Sequence, residues 1–254
     1  NVIPHLCSIE CCFSHPLTEC ERNASFVEDI RSWSQISDRL YVWDYVTEFG
    51  HYISPWPNLY TLQPNIKFFI ENGVRGLFEQ GPGTTSEFAE LRTYLLAKLL
   101  WDPDVDVSAV MDDFLRGYYG GAARAIRDYI DLVHTKARRE HLHSHIWSPL
   151  NHALFTPDLL AEANALFDQA ERDAGDEDAL KRVRVARLPI QYVQIVQHRI
   201  PEDDLHDMAD RFFRVAEDAG ITEIREGTPL REFSKDIWTL HTTQDRYTSR
   251  KGFQ

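Results

Sequence analysis

The sequence has 254 residues and a formal net charge of −13 at pH 7, with 43% hydrophobic and 12% aromatic residues. This composition is typical of a globular protein with a sizeable core. The negative charge repels polyanions at long range, which excludes a protein that binds nucleic acid or anionic membranes through unspecific attraction. No run of about 18 uninterrupted apolar residues is present, so we predict no membrane span.

Three short apolar segments come first along the chain, and each contains an acidic residue at or near its end. The segments are residues 2–10, 39–45 and 74–81. A helical pattern follows each of them, which is the alternation that builds a parallel sheet because parallel neighbours need a long crossover. Ligands of parallel α/β folds bind at the carboxyl ends of the strands. We therefore expect Glu10, Asp44 and Glu79 to gather at one edge and line a site.

Hydrophobic periodicity predicts helices after each strand and throughout the rest of the chain. The predicted helices are residues 25–37, 63–72, 86–100, 107–118, 122–141, 157–174, 177–198 and 203–219. Ser25 and Glu28 match a capping box, Gly73 closes the second helix, and Pro189 is expected to kink the seventh. The aromatic and proline-rich residues 51–58 cannot form regular structure and are expected to form a wall over the site.

The chain thus divides into an α/β part, residues 1–120, and an all-α part, residues 121–254, whose end from Gln244 is expected to fray. Three strand and helix units cannot close a barrel, which needs about eight, and an isolated three-stranded sheet leaves its edges exposed. The chain begins with Asn1 rather than Met and enters a strand-like run at once. We therefore expect an upstream portion and predict the C-terminal part of a TIM (β/α)8 barrel followed by a helical region.

The cysteines are confined to the first 20 residues. They are Cys7, Cys11, Cys12 and Cys20. His5 and His15 lie nearby, but the spacing does not match paired Cys-x-x-Cys knuckles, and adjacent cysteines diverge from an extended backbone, so we predict no metal site. Free thiols are the simplest interpretation. A bridge from Cys11 or Cys12 to Cys20 is the next, and it would require an oxidising compartment.

A second group of candidate ligands surrounds the end of the fifth predicted helix. It comprises His134, His141, His143, His145 and His152. His141 and His145 have the i, i+4 spacing that can hold a metal, but the Glu of a metalloprotease motif is missing, so a solvated or capping role is expected. Metal-dependent hydrolysis is the third function class left open, and it predicts stoichiometric metal in purified protein. We expect no cofactor.

Aromatic residues accompany the acids of the strands. Glycoside hydrolysis usually needs two carboxyl groups, with aromatic platforms on which sugar rings stack, and Trp43, Tyr45 and Trp56 fit that need. The competing interpretation is that Trp43 and Tyr45 are core aromatics and that Asp44 is an N-cap or salt-bridge partner. The repeated placement of acids across three strands favours a pocket, although it does not identify a catalytic acid.

Several uncommon strings occur in a characteristic order. They are SIECCFSHP at 8–16, LYVWDY at 40–45, FEQG at 78–81, LLWDP at 99–103 and YYG at 118–120. Over about residues 2–130 they resemble the bacterial domain-of-unknown-function family 4838 (DUF4838). That family is similar to TIM-barrel hexosaminidases and α-glucuronidases, and it overlaps glycoside hydrolase family 163, whose members are endo-β-N-acetylglucosaminidases acting on N-glycans.

The resemblance implies that the three strands are the sixth to eighth of the barrel. It also implies that the substrate's own N-acetyl group attacks the anomeric carbon, helped by an acidic pair on the fourth strand, which is not in this sequence. The residues found here then hydrogen-bond to the sugar or form a wall beside it. The predicted substrate-binding residues are Glu10, Trp43, Asp44, Tyr45, Trp56, Glu79 and Gln80, and no catalytic residue is assigned.

We therefore expect part of a glycoside hydrolase acting on hexosamine-containing glycans, with this chain supplying sugar-binding residues and lacking the catalytic pair. The alternative is a non-catalytic carbohydrate-binding or scaffolding module whose helices bury the barrel remnant against a partner chain. The expected partner is a carbohydrate, with a second copy of the chain or a missing N-terminal half as candidate protein partners. A secreted or periplasmic location is compatible with these expectations.

Overall fold

The computed structural model describes residues 2–82, 85–150, 153–197 and 202–234. A three-stranded sheet with its crossover helices comes first, and further helices and a small hairpin follow. The elements are β1 His5–Cys7, α1 Ala24–Ile36, β2 Leu40–Tyr45, α2 Leu62–Glu71, β3 Val74–Gln80, α3 Ala89–Trp101, α4 Val107–Tyr119, α5 Ala123–Arg139, α6 Pro157–Asp173, α7 Glu177–Val196, α8 Glu202–Asp218, β4 Glu223–Arg225 and β5 Thr228–Pro229.

The first sheet has the order β1-β2-β3, and both pairs are parallel. This confirms the mixed α/β class and the strand–helix alternation of the first part of the chain. Within the described ranges the strands do not close into a barrel. Among the helices that the structure describes, none combines the length and apolar character that a membrane crossing needs.

Most helices begin and end within three residues of their predicted bounds, but the predicted capping box is wrong. Helix α1 begins at Ala24, and its N-cap residue Asn23 makes no side-chain capping bond. Ser25 lies in the first turn and is exposed, since Asn23 already marks the helix start. The closing role of Gly73 is confirmed by its φ of +75°, a left-handed conformation that glycine adopts without a steric penalty.

The expectation that only helices follow Ala122 is wrong, because β4 and β5 form an antiparallel hairpin after α8. Strands of three and two residues are too short to show an alternating pattern in the sequence. The hairpin is anchored to the loop after β2, since the Tyr52 amide donates to the Ile224 carbonyl at 2.9 Å. His152 and the segment from Gln244 lie outside the described residues.

The two faces of the first sheet differ in burial. Leu40 and Val42 of β2 are fully buried, whereas Tyr41 and Trp43, which alternate with them, are exposed. This period of two follows from the pleat of a strand. One face of the sheet therefore packs into the core and the other lies open. Residues 51–58 contain no regular structure, as predicted, but most of them are buried.

Candidate functional site

The exposed face of the sheet carries a cluster of aromatic rings. We call this cluster, His5, Tyr41, Trp43 and Phe78, the aromatic face. The indole of Trp43 is 37% exposed and meets Phe78 edge to face, with ring centroids 5.2 Å apart. The indole N–H of Trp43 donates to Oε1 of Gln80 at 2.7 Å. The Trp43 ring is thus held in place while part of its surface stays open to solvent.

Gly76 allows Tyr41 to lie flat against β3. A Cβ atom at Gly76 would stand only 2.9 Å from the Tyr41 ring, closer than real Cβ contacts come. The bulge in the pairing of β2 and β3 places these two residues opposite each other. The glycine in the string VRGLF therefore shapes the lower part of the aromatic face, which is a close-approach role that glycine commonly has in strands.

Tyr45 closes the carboxyl end of the same face. Its ring stacks on Trp43 at 6.2 Å and meets Phe49 edge to face at 5.7 Å, and its hydroxyl lies 3.5 Å from Sγ of Cys7. Tyr45 is only 8% exposed. It supports Trp43 rather than offering an open ring of its own.

The strand-end acids lie on the opposite, core-facing side of the sheet. Asp44 and Glu79 are paired in register, and Asp44 and Ser8 are fully or nearly fully buried. Oδ1 of Asp44 accepts hydrogen bonds from Oγ of Ser8 at 2.5 Å and from the amide of Tyr45 at 2.9 Å. The row Ser8–Asp44–Glu79 therefore crosses all three strands at their carboxyl ends.

Burial is the main cause of the raised pKa values of Asp44 and Glu79. It raises the pKa of Asp44 to about 6, against the opposing effect of the bonds from Ser8 and Tyr45. The pKa of Glu79 lies well above its usual range, first because of burial and then because of the charge of Asp44. Oε2 of Glu79 is buried and has no hydrogen-bond partner among the described residues. A proton is therefore held at this sheet edge more tightly than on isolated carboxyls.

Two predicted site residues lie apart from both groups. Glu10 is exposed in a turn in which the Cys11 amide donates to the Ser8 carbonyl at 2.8 Å. Ser8, rather than Glu10, therefore lies beside Asp44 at the end of β1. Trp56 is only 3% exposed, packs on Phe13 at 5.2 Å, and its indole N–H donates to Ser144. Trp56 is a core residue and offers no open ring to a sugar.

A buried acid that sequence reasoning did not select lies in the loop after β2. Glu48 is 5% exposed, and its Oε1 has no hydrogen-bond partner in the described part of the chain. Burial raises its pKa to about 9. In the sequence, the only indication of a role for Glu48 is its position four residues beyond Asp44. The residues at the end of the strand do not reveal that the following loop is buried.

A cavity of about 660 Å³ lies away from the sheet. Its walls come from α4, α7, α8 and the segment before α3, and they include Tyr118, Arg182, Pro189 and Asp218. The guanidinium of Arg182 lies 4.5 Å from the Tyr118 ring centroid and donates to the Tyr118 carbonyl at 2.9 Å. This cation is already engaged, and the cavity is separate from the strand-end acids.

Four potential metal ligands meet between the loop after β1 and the segment after α5. They are Cys12, His15, Cys20 and His143, whose ligand atoms all lie within 4.8 Å of one another. The sequence expectation of no metal site considered His5 and His15 as partners of the cysteines. It did not include His143, which folding brings from 123 residues beyond Cys20. All four cysteines are free thiols.

Comparison with protein families shows that residues 1–131 match the model described as "Domain of unknown function (DUF4838)". The chain belongs to the DUF4838 family. The matched segment contains the whole parallel sheet, α1 to α4 and the first half of α5. No curated protein and no solved structure matches the chain.

Proposed function

We propose that the DUF4838 segment is part of a TIM-barrel glycoside hydrolase acting on hexosamine-containing glycans, and that this chain supplies sugar-binding residues. The observation that carries the proposal is the aromatic face. Parallel sheets are normally covered on both faces, and exposed apolar patches commonly mark binding surfaces. Here one face of a parallel sheet is open and aromatic, with Trp43 fixed by Gln80 at the carboxyl ends of the strands.

The barrel part of the proposal follows from the same layering. Each strand of a (β/α)8 barrel turns one set of alternate residues to the helices and the other set to the interior. The core-facing Leu40 and Val42 fit the first set, and Tyr41 and Trp43 fit the second. In this proposal residues 1–120 are the last βα units of the barrel, the helices from α5 onwards pack on them as an appendage, and about five further βα units complete the barrel.

The proposed roles divide between the two faces. Trp43 forms the platform for a sugar ring, since indole faces stack on the apolar faces of pyranoses, and Gln80 holds the indole in place. Tyr45 supports the platform from above. Asp44 joins β1 to β2 through Ser8 and positions the strand ends. Because Asp44 and Glu79 point away from the aromatic face, we do not assign them as the catalytic pair.

The test is a calorimetric titration of the chain with chitotetraose, and with cellotetraose as the matched ligand that lacks N-acetyl groups. We expect binding of chitotetraose, weaker binding of cellotetraose, and a loss of about tenfold in affinity for Trp43→Ala, the magnitude of one stacked ring. Trp101→Ala is the control, because Trp101 is 92% exposed at the end of α3. Absent binding, or equal affinities for wild type and Trp43→Ala, would contradict the proposal.

A non-catalytic carbohydrate-binding module is the second candidate. It is favoured by the position of Asp44 and Glu79 on the face of the sheet opposite to the open ring of Trp43, since hydrolysis needs carboxyls on the side of the sheet where the sugar lies. The enzyme candidate places its catalytic pair on further βα units, so the same oligosaccharides are incubated with this chain joined to those units. Release of new reducing ends supports the enzyme, whereas binding that depends on Trp43 without any release supports the module.

A further inference from the structure

The cluster of Cys12, His15, Cys20 and His143 is compact and largely buried. Sγ of Cys12 lies 3.5 Å from Nδ1 of His15, and Sγ of Cys20 lies 3.5 Å from Nδ1 of His143. The rings of His15 and His143 are 5.0 Å apart. The two cysteines and His15 are buried, and His143 is half-buried.

Backbone and amide hydrogen bonds hold the loop of Cys12 in place without any help from the cluster. The buried side chain of Asn23 makes two hydrogen bonds to the backbone of Cys12. It accepts from the Cys12 amide at 2.7 Å and donates to the Cys12 carbonyl at 2.9 Å. The next residue, Phe13, donates its amide to the carbonyl of Ser144 at 2.8 Å. The loop after β1 is thus fixed against the segment that carries His143.

We propose that Cys12, His15, Cys20 and His143 together bind one zinc ion. Two thiolates and two imidazoles form a ligand set typical of tetrahedral structural zinc. With Zn–S of about 2.3 Å and Zn–N of about 2.0 Å, a tetrahedron places sulfur and nitrogen about 3.5 Å apart. This is the separation of both Cys–His pairs.

Charge also favours zinc at this position. Binding releases a proton from each cysteine, so that two thiolates and Zn²⁺ form a neutral centre, which suits a buried site. Ser14 supports the ligands from outside the centre: its hydroxyl donates to the Leu142 carbonyl at 2.7 Å and lies 3.3 Å from both Sγ of Cys12 and Nδ1 of His15.

The proposed zinc is structural rather than catalytic. Four protein ligands leave no open position for water or substrate. Three ligands come from the loop after β1 and the fourth, His143, from the segment after α5, so the ion links the parallel sheet to the helical part of the chain. The proposal is independent of what the aromatic face binds.

The first test is the metal content of the full chain, purified under reducing conditions and dialysed against metal-free buffer. We expect inductively coupled plasma mass spectrometry to find about one zinc per chain in wild type. In Cys20→Ser and in His143→Gln we expect less than about a tenth of that zinc content. Cys7→Ser is the matched control that keeps its zinc, because Cys7 is exposed and lies outside the cluster. Zinc-free wild type with four titratable thiols would overturn the proposal.

Two further readouts keep the test decisive if a variant folds poorly. Cobalt added to metal-free wild type should give the visible bands of tetrahedral thiolate coordination, and removal of zinc by a chelator should lower Tm by about 5 °C or more. Cobalt bands typical of octahedral coordination by oxygen would contradict the assignment. So would a Cys12–Cys20 disulfide in protein purified without reductant and with zinc present.

Discussion

At the residue scale, Glu48 is a carboxylic acid buried in the loop after β2. A carboxyl group that is removed from water without a partner resists ionisation, and Oε1 of Glu48 has no hydrogen-bond partner among the described residues. Its pKa is raised to about 9, whereas the group ionises near 4.5 in an unfolded chain. The folded protein therefore keeps a proton on Glu48 at neutral pH that the unfolded chain has lost.

This difference predicts a pH dependence that Glu48→Gln removes. Since the folded state binds the extra proton, the contribution of Glu48 to stability is fully present below about pH 4.5 and is lost as pH rises towards 9. Relative to its value at pH 4.5, wild type loses up to about 3 kcal/mol at pH 7 through this group. Glu48→Gln, which is neutral at every pH, should be the more stable protein at pH 8 and about equal at pH 4.5.

The measurement is the free energy of unfolding in urea at several pH values between 4.5 and 8. Glu10→Gln is the control, because Glu10 is an exposed carboxyl that lies outside the buried loop after β2. Asp44 and Glu79 have pKa values raised in the same direction, so part of the slope persists in Glu48→Gln. Identical slopes for wild type and Glu48→Gln would show that Glu48 is ionised in the folded protein.

Single residues differ in how far the sequence reveals them. Asp44 and Glu79 could be placed together from the repeat of strands alone, because parallel strands bring their ends to one edge. That both acids lie on the face opposite to Trp43 follows from the alternation of neighbouring residues along a strand, together with the register that pairs Asp44 with Glu79. His143 could not be joined to Cys20 because only tertiary packing decides that contact.

At the element scale, α4, α6 and α7 begin with side-chain caps, whereas α1 and α5 do not. Asp106, Thr156 and Asp176 each accept a hydrogen bond from an amide in the first turn of α4, α6 and α7. The amide of Ala179 donates to Asp176 at 2.7 Å, which satisfies one of the free donors at the start of α7. These helices therefore carry their own start signals.

The contrast between α7 and α1 predicts the outcome of two alanine substitutions. Asp176→Ala leaves the Ala179 amide without its acceptor and should lower the free energy of unfolding by about 1 kcal/mol. Ser25→Ala should change it by less than about 0.5 kcal/mol, because Ser25 is exposed and does not cap α1. Urea denaturation of both variants is the measurement. If Ser25→Ala lowered the free energy of unfolding as much as Asp176→Ala, the result would show that Ser25 does cap α1.

Periodicity explains why some elements were predicted well and others were not. Helices α4 and α6 show long apolar stripes, and both lie within one residue of their predicted bounds. The apolar run 2–10 forms a strand only at His5–Cys7, because the chain turns at Ser8 towards the loop of the cysteines. The hairpin of β4 and β5 depends on contacts with the distant loop after β2, which a local pattern does not contain.

At the scale of the whole molecule, the described core is continuous across the boundary predicted near residue 120. Val42 of the sheet, Ile126 of α5 and Phe212 of α8 belong to one cluster of buried side chains. Backbone hydrogen bonds cross the same boundary, among them the one from the Phe49 amide to the Ile146 carbonyl at 2.7 Å. The two parts of the chain bury apolar surface against each other rather than separately.

This continuity predicts one cooperative unfolding transition for the full chain. Four of the six tryptophans precede residue 120, so tryptophan fluorescence follows mainly the first part, whereas far-UV circular dichroism also follows the helices after residue 120. We expect the two signals to give the same urea midpoint within error, because a shared core cannot be lost from one part alone. Val42→Ala and Phe212→Leu, which shorten fully buried side chains on the two sides of the boundary, should each shift both curves together by about 1–2 kcal/mol. Separate midpoints, with Val42→Ala moving only the fluorescence curve, would instead establish two independently stable domains divided where the sequence predicts.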